Sequence, residues 1–192
     1  MNSTLKVILG VVGGALLTCV AIAVLGLVFF GTITRAVLRN TQAKPGEAEQ
    51  IAQEIADFTL PDGYSAAMAS RIAHFELVGY NGPDGHSHIY LFQLPPAIHV
   101  DQVQLERQFQ DTTGNPSQTS GRAMTVIEEQ AVTIRGEATT LVISEGTNGA
   151  GELYRSANTA FWGKDGQALL SFSGLTSDWD QTMIDAFIAS VR

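Results

Sequence analysis

Residues 73–94 read AHFELVGYNGPDGHSHIYLFQL, two alternating apolar stretches around a dense turn. Residues 73–80 and 86–94 alternate with the period of two that a half-buried strand shows, and Asn81-Gly82-Pro83-Asp84-Gly85 supplies turn residues between them. Placing Tyr80 opposite His86 puts Phe75, Leu77, Ile89 and Leu91 on one side, which is expected to be core. The opposite side then carries His74, Glu76, Val78, Tyr80, His86, His88, Tyr90 and Phe92.

Downstream the strand pattern repeats. A strand is expected over residues 123–129, and two more over 132–135 and 138–144, joined by Gly136-Glu137 with glycine first. Pairing Arg135 with Ala138 aligns Val132, Ile134, Leu141 and Ile143 as a second apolar face. Residues 152–162 and 167–173 form a further hairpin around Gly163-Lys164-Asp165-Gly166. Helices bracket these strands. Ala48, Ile51, Ala52, Ile55 and Phe58 share one face over residues 47–58, ending at Leu60-Pro61-Asp62-Gly63. Asp101 with Gln104 opens a helix to about Asp111, and the polar tract 112–121 (TTGNPSQTSG) connects onward. Ser177 with Asp180 is expected to cap a last helix whose Trp179, Met183, Phe187 and Val191 form one stripe. The fold class is α+β: an antiparallel sheet of about six or seven strands packed with helices.

Ahead of this domain lies Val7 to Ile33 (VILGVVGGALLTCVAIAVLGLVFFGTI), without a charged residue and longer than the roughly 20 apolar residues a bilayer-crossing helix needs. The organisation is therefore a short leader (1–6), a transmembrane anchor helix (7–33), a juxtamembrane linker (34–46) and a soluble α+β domain (47–192). The run is too long for a cleavable signal and no A-x-A-like site follows it, so an uncleaved single-pass anchor in the lipid bilayer is expected. Arg35, Arg39 and Lys44 outweigh Lys6, and counted alone they would keep the domain cytoplasmic. A positive leader directly before an apolar segment instead resembles an export signal, and an extracytoplasmic domain at the cell membrane is the expectation. Gly10, Gly14 and Thr18 recur on one helix face, where anchors can approach closely enough to form a homo-oligomer.

Composition narrows the partners. Residues 1–44 hold four basic side chains and no acid; residues 45–192 hold 7 basic and 19 acidic, and 7 − 19 gives −12. So acidic a domain repels nucleic acid, which is excluded as a partner; an unidentified protein or small molecule is expected instead. The single cysteine, Cys19, lies in the apolar run, so the domain has neither disulfide nor thiolate metal site.

The helix leading into Asp57–Tyr64 (DFTLPDGY), the strand pair, the interposed helix, the run of antiparallel strands and the closing Ala186–Val191 (AFIASV) together resemble the PsbP and DcrB type of α/β/α sandwich. That resemblance implies a small accessory or binding protein more often than an enzyme, and it carries over no functional residue.

One constellation has metal-ligand chemistry. His86-x-His88 would project two imidazoles from one strand face, with Glu76 a diagonal neighbour, a plausible set for zinc or another divalent metal. No catalytic or cofactor-binding residue is predicted: there is no G-x-S-x-G, no H-E-x-x-H, and Gly149-Ala150-Gly151 lacks a phosphate-loop ending. The expected function is a membrane-anchored, non-catalytic binding or accessory domain at the cell envelope, with a metal site at Glu76, His86 and His88 as the alternative.

Overall fold

The structure, a computed structural model, describes residues 46–72, 74–96, 124–148 and 150–192. The expected anchor with Gly10, Gly14 and Thr18, the helix over 101–111 and the tract 112–121 lie outside the described residues.

Seven strands form one sheet: β1 (Ser65–Ile72), β2 (Phe75–Asn81), β3 (His88–Gln93), β4 (Thr125–Ile134), β5 (Glu137–Thr147), β6 (Leu153–Trp162) and β7 (Gln167–Leu175). Their order is β1-β2-β3-β7-β6-β5-β4 and every neighbouring pair is antiparallel. Two described helices accompany them, α1 (Glu47–Ile55) and α2 (Gln181–Ser190). Leaving β3 in the middle of the sheet, the chain re-enters at the far edge as β4.

Both helices join one face. Ala48, Ile51, Ala52 and Ile55 of α1 and Ile184, Phe187 and Ile188 of α2 pack with Val78, Tyr80, Ile89, Leu91, Ile134, Leu141, Ile143, Leu170 and Phe172 in a single buried cluster. Each of these large side chains withdrawn from water contributes roughly 1.5–3 kcal/mol. Helix α1 starts at Gly46, whose φ of +85° suits a residue without Cβ, and carries Glu47 and Glu49 in its first turn, where the helix dipole favours anions. It stops at Ile55, shorter than its apolar spacing suggests, because Asp57 leaves the helix to exchange two backbone hydrogen bonds with Arg192 (3.1 and 2.8 Å). Phe58 keeps its place in the core against Phe187, ring centres 5.1 Å apart. Helix α2 is capped by Asp180, which accepts the Met183 N–H at 3.0 Å, and the preceding residues including Ser177 form a short 3-10 turn instead of the cap.

The expected strand count arises from two differences that cancel. Residues 65–72 (SAAMASRI), too rich in small residues to signal a strand, form β1, while the two stretches expected over 123–129 and 132–135 are one strand, β4, bent by a bulge between Val126 and Glu128.

Register decides the faces. In the opening hairpin Val78 pairs with Leu91, Tyr80 with Ile89 and Asn81 with His88, three positions away from pairing Tyr80 with His86. An odd shift exchanges the two faces of one strand relative to the other. The core side is therefore Val78, Tyr80, Ile89 and Leu91, and Phe75 and Leu77 turn away from it. The shift arises because the connection takes in His86 and Ser87: Gly82 N–H donates to the Ser87 carbonyl at 2.7 Å, and Asp84 accepts both backbone N–H groups of His86 (2.7 Å) and Ser87 (2.6 Å). In the β4–β5 hairpin the turn residues are Arg135 (φ +53°) and Gly136 (φ +82°), with Ile134 paired to Glu137, so the expected pairing slips by two. An even slip leaves every side chain on its face, and Ile134, Leu141 and Ile143 are core as expected.

Candidate functional site

Glu76, His86 and His88 are not brought together. Glu76 pairs with Gln93 on the helix-bearing face and is 9% exposed; Arg71 on β1 donates to it at 3.1 Å, Gln93 donates at 3.4 Å, and Arg71 also meets Glu54 of α1. Cross-strand pairing puts His88 on the opposite face, and His86 stands in the connecting turn. Among the described residues no group of three His, Cys, Asp or Glu side chains is close enough to hold a metal ion.

His88 instead begins a polar grid on the face away from the helices. Across the strands His88 pairs with Ser173, Ser173 with Ser156 and Ser156 with Ser144. One row along, Tyr90 pairs with Ser171, Ser171 with Asn158 and Asn158 with Val142, beyond which Glu129 stands exposed on edge strand β4. On the other side Tyr90 pairs with Gly79, and only glycine fits there: a Cβ would lie 2.8 Å from the Tyr90 ring and 2.7 Å from Met68 Cγ. The Tyr90 ring thus lies across the sheet and stacks on His88, centres 6.0 Å apart.

Ser144, Asn158 and Ser171 are each 1% exposed. Asn158 donates to Ser156 at 3.4 Å, and Tyr154 hydrogen-bonds Ser173. Yet Ser144 Oγ, Asn158 Oδ1 and Ser171 Oγ, three oxygens in adjoining positions, have no hydrogen-bond partner among the described residues. A buried polar atom left unmet costs about 1–3 kcal/mol, so this patch subtracts from the stability of the sheet.

Burial sets the charge state of the surroundings. It raises the Tyr90 hydroxyl, with Tyr154 adding to the effect, and it raises Tyr154 against the opposing hydrogen bond from Ser173; both are neutral phenols. Burial likewise lowers the His88 imidazole, which Asp84 partly counters and His86 reinforces. His88 Nδ1 is 2.9 Å from Asn81 Oδ1, so the Nδ1 proton is assigned by that acceptor. Beside it, burial would raise Asp84, but the hydrogen bonds from Ser87 and His86 outweigh it and hold the carboxyl below its usual range. The Ser87 hydroxyl donates to that carboxylate, an arrangement that holds the turn and activates no nucleophile.

The grid escaped sequence reasoning because alternating serines usually mark a solvent face. Ser156-x-Asn158 and Ser171-x-Ser173, each alternating with the core residues Ala157 and Phe172, were the available signal.

No protein-family model matches the chain, and no curated protein matches it. Among solved structures, the solution structure of cyanobacterial PsbP (CyanoP) from Synechocystis sp. PCC 6803 superposes with a TM-score of 0.50 at 13% identity, covering 73% of this chain and 87% of that one. The fold is thus PsbP-like, as the order of elements suggests. LpqN of Mycobacterium tuberculosis, described as involved in cell envelope biogenesis, aligns with a TM-score of 0.33 at 12% identity over 69% of this chain and 79% of that one.

Proposed function

We propose that the chain is a membrane-anchored, non-catalytic binding or accessory domain displayed on the outer side of the cell membrane. The uncharged apolar run 7–33 supports the anchor. The observation that supports the accessory role is the PsbP-like fold, shared with the cyanobacterial PsbP structure at a TM-score of 0.50. Asp84 and His88 are engaged in holding the turn and Asn81 and activate no nucleophile.

Fractionation of cells expressing the full chain tests the anchored reading. The protein sediments with membranes, resists high salt, is released by detergent, and its domain is digested by protease added to intact cells. Release by salt, or a domain digested only after lysis, would overturn it.

A further inference from the structure

We infer that Glu128 and Glu129, with the bulge beside them, keep the β4 edge of the sheet from pairing with a second copy of the chain. Strand β4 is last in the sheet order, ten residues long, and among the described residues its ladder runs to β5 on one side only. A long edge of this kind is a template for strand addition. Its first half is open: residues 125–129 are all exposed, Val126 at 42% and Ile127 at 48%. The opposite edge is better covered, since Ala69 of β1 packs in the core with α1, and Arg71 meets Glu54 of that helix.

Glu128 and Glu129 interrupt the open stretch. Neighbours along a strand project to opposite faces, and here Glu128 pairs with the core residue Ile143 while Glu129 pairs with Val142. Neither carboxylate is in an ion pair among the described residues, and residues 125–134 include no basic side chain. Glutamate is depleted in strands, so its presence twice at this edge is not explained by strand formation. A second β4 would bring the same two acids, and each face of the joined sheet would then hold carboxylates from both copies with no cation in either strand. The bulge between Val126 and Glu128 acts in the same direction, because it breaks the regular spacing of the edge where Val126 and Ile127 are exposed.

The experiment compares the full chain in detergent with Glu128→Thr/Glu129→Thr, Glu128→Gln/Glu129→Gln and Glu128→Lys/Glu129→Lys, by light scattering, circular dichroism and amide hydrogen exchange. Association through the expected anchor is common to all four proteins and drops out of the comparison. The threonine and glutamine variants lose the charge, and as concentration rises they are expected to form particles of about twice the parent's mass or more. They keep the parent's dichroism, and exchange slows at the amides of residues 128–134. The lysine variant restores like charge at the edge and is expected to keep the parent's mass. Three results would overturn the inference: the neutral variants keep the parent's mass, the lysine variant associates as they do, or the neutral variants associate with loss of dichroism or without slower exchange in β4, which would give the two glutamates a part in holding the fold instead.

Discussion

At the scale of single residues, Gly79 shows how a position without a side chain sets the shape of a face. The Tyr90 ring and Met68 side chain occupy the space a Cβ would need. Gly79→Ala is therefore expected to lower stability by about 1–3 kcal/mol, measured by chemical denaturation, and an unchanged midpoint would mean that the ring lies elsewhere. Tyr80 offers a pH reporter on the other face. Burial, reinforced by Glu49, pushes its phenol up to about 12 from an ordinary 10.0. Between those values the folded state holds a proton the unfolded chain has released, so the stability it contributes is present below pH 10 and is lost as pH rises through about 12. Tyr80→Phe should flatten the alkaline limb of a stability profile, with Tyr64, Tyr90 and Tyr154, all raised chiefly by burial, accounting for what slope is left. Zinc supplies a third check. With Glu76 and His88 on opposite faces, zinc should leave the unfolding midpoint unchanged; a rise abolished by His86→Ala/His88→Ala would contradict the geometry.

At the scale of elements, the β6–β7 turn acts as a clasp on α1. Lys164 donates its backbone N–H to the Ile55 carbonyl at 2.9 Å and its ammonium to the Gln53 carbonyl at 2.7 Å and Asp57 at 2.8 Å. Those carbonyls belong to the last turn of the helix, where a cation is favourable. Lys164→Ala should cost about 1 kcal/mol in chemical denaturation, mostly through the Gln53 carbonyl because Asp57 is largely exposed. The α1 face, the β6–β7 hairpin and the apolar set of β4 and β5 were legible in the sequence because each rests on periodicity, and periodicity survives an even slip of register. What periodicity does not supply is the phase between two strands. Asp84 drew His86 and Ser87 into the turn through hydrogen bonds that leave no trace in an alternation, and three positions of shift moved Glu76 away from His88. Strand β1 was illegible for another reason, since its alanines and serines alternate in size too weakly to mark a face. The polar grid was hidden because Ser and Asn at alternate positions look identical whether they meet water or a buried partner.

At the scale of the whole molecule, one sheet serves two chemistries. Its helix-bearing face is an apolar core that stabilises the domain, and its other face carries a central block of buried hydroxyl and amide groups. This division depends on which residues of β2 lie opposite which residues of β3, since the same strands paired three positions away would bring Glu76 onto the His88 face. Cross-strand nuclear Overhauser contacts measure that pairing most directly. Contacts of Val78 with Leu91 and of Tyr80 with Ile89 are the predicted result; contacts of Val78 with His88 and of Tyr80 with His86 would contradict it and restore the metal-ligand arrangement.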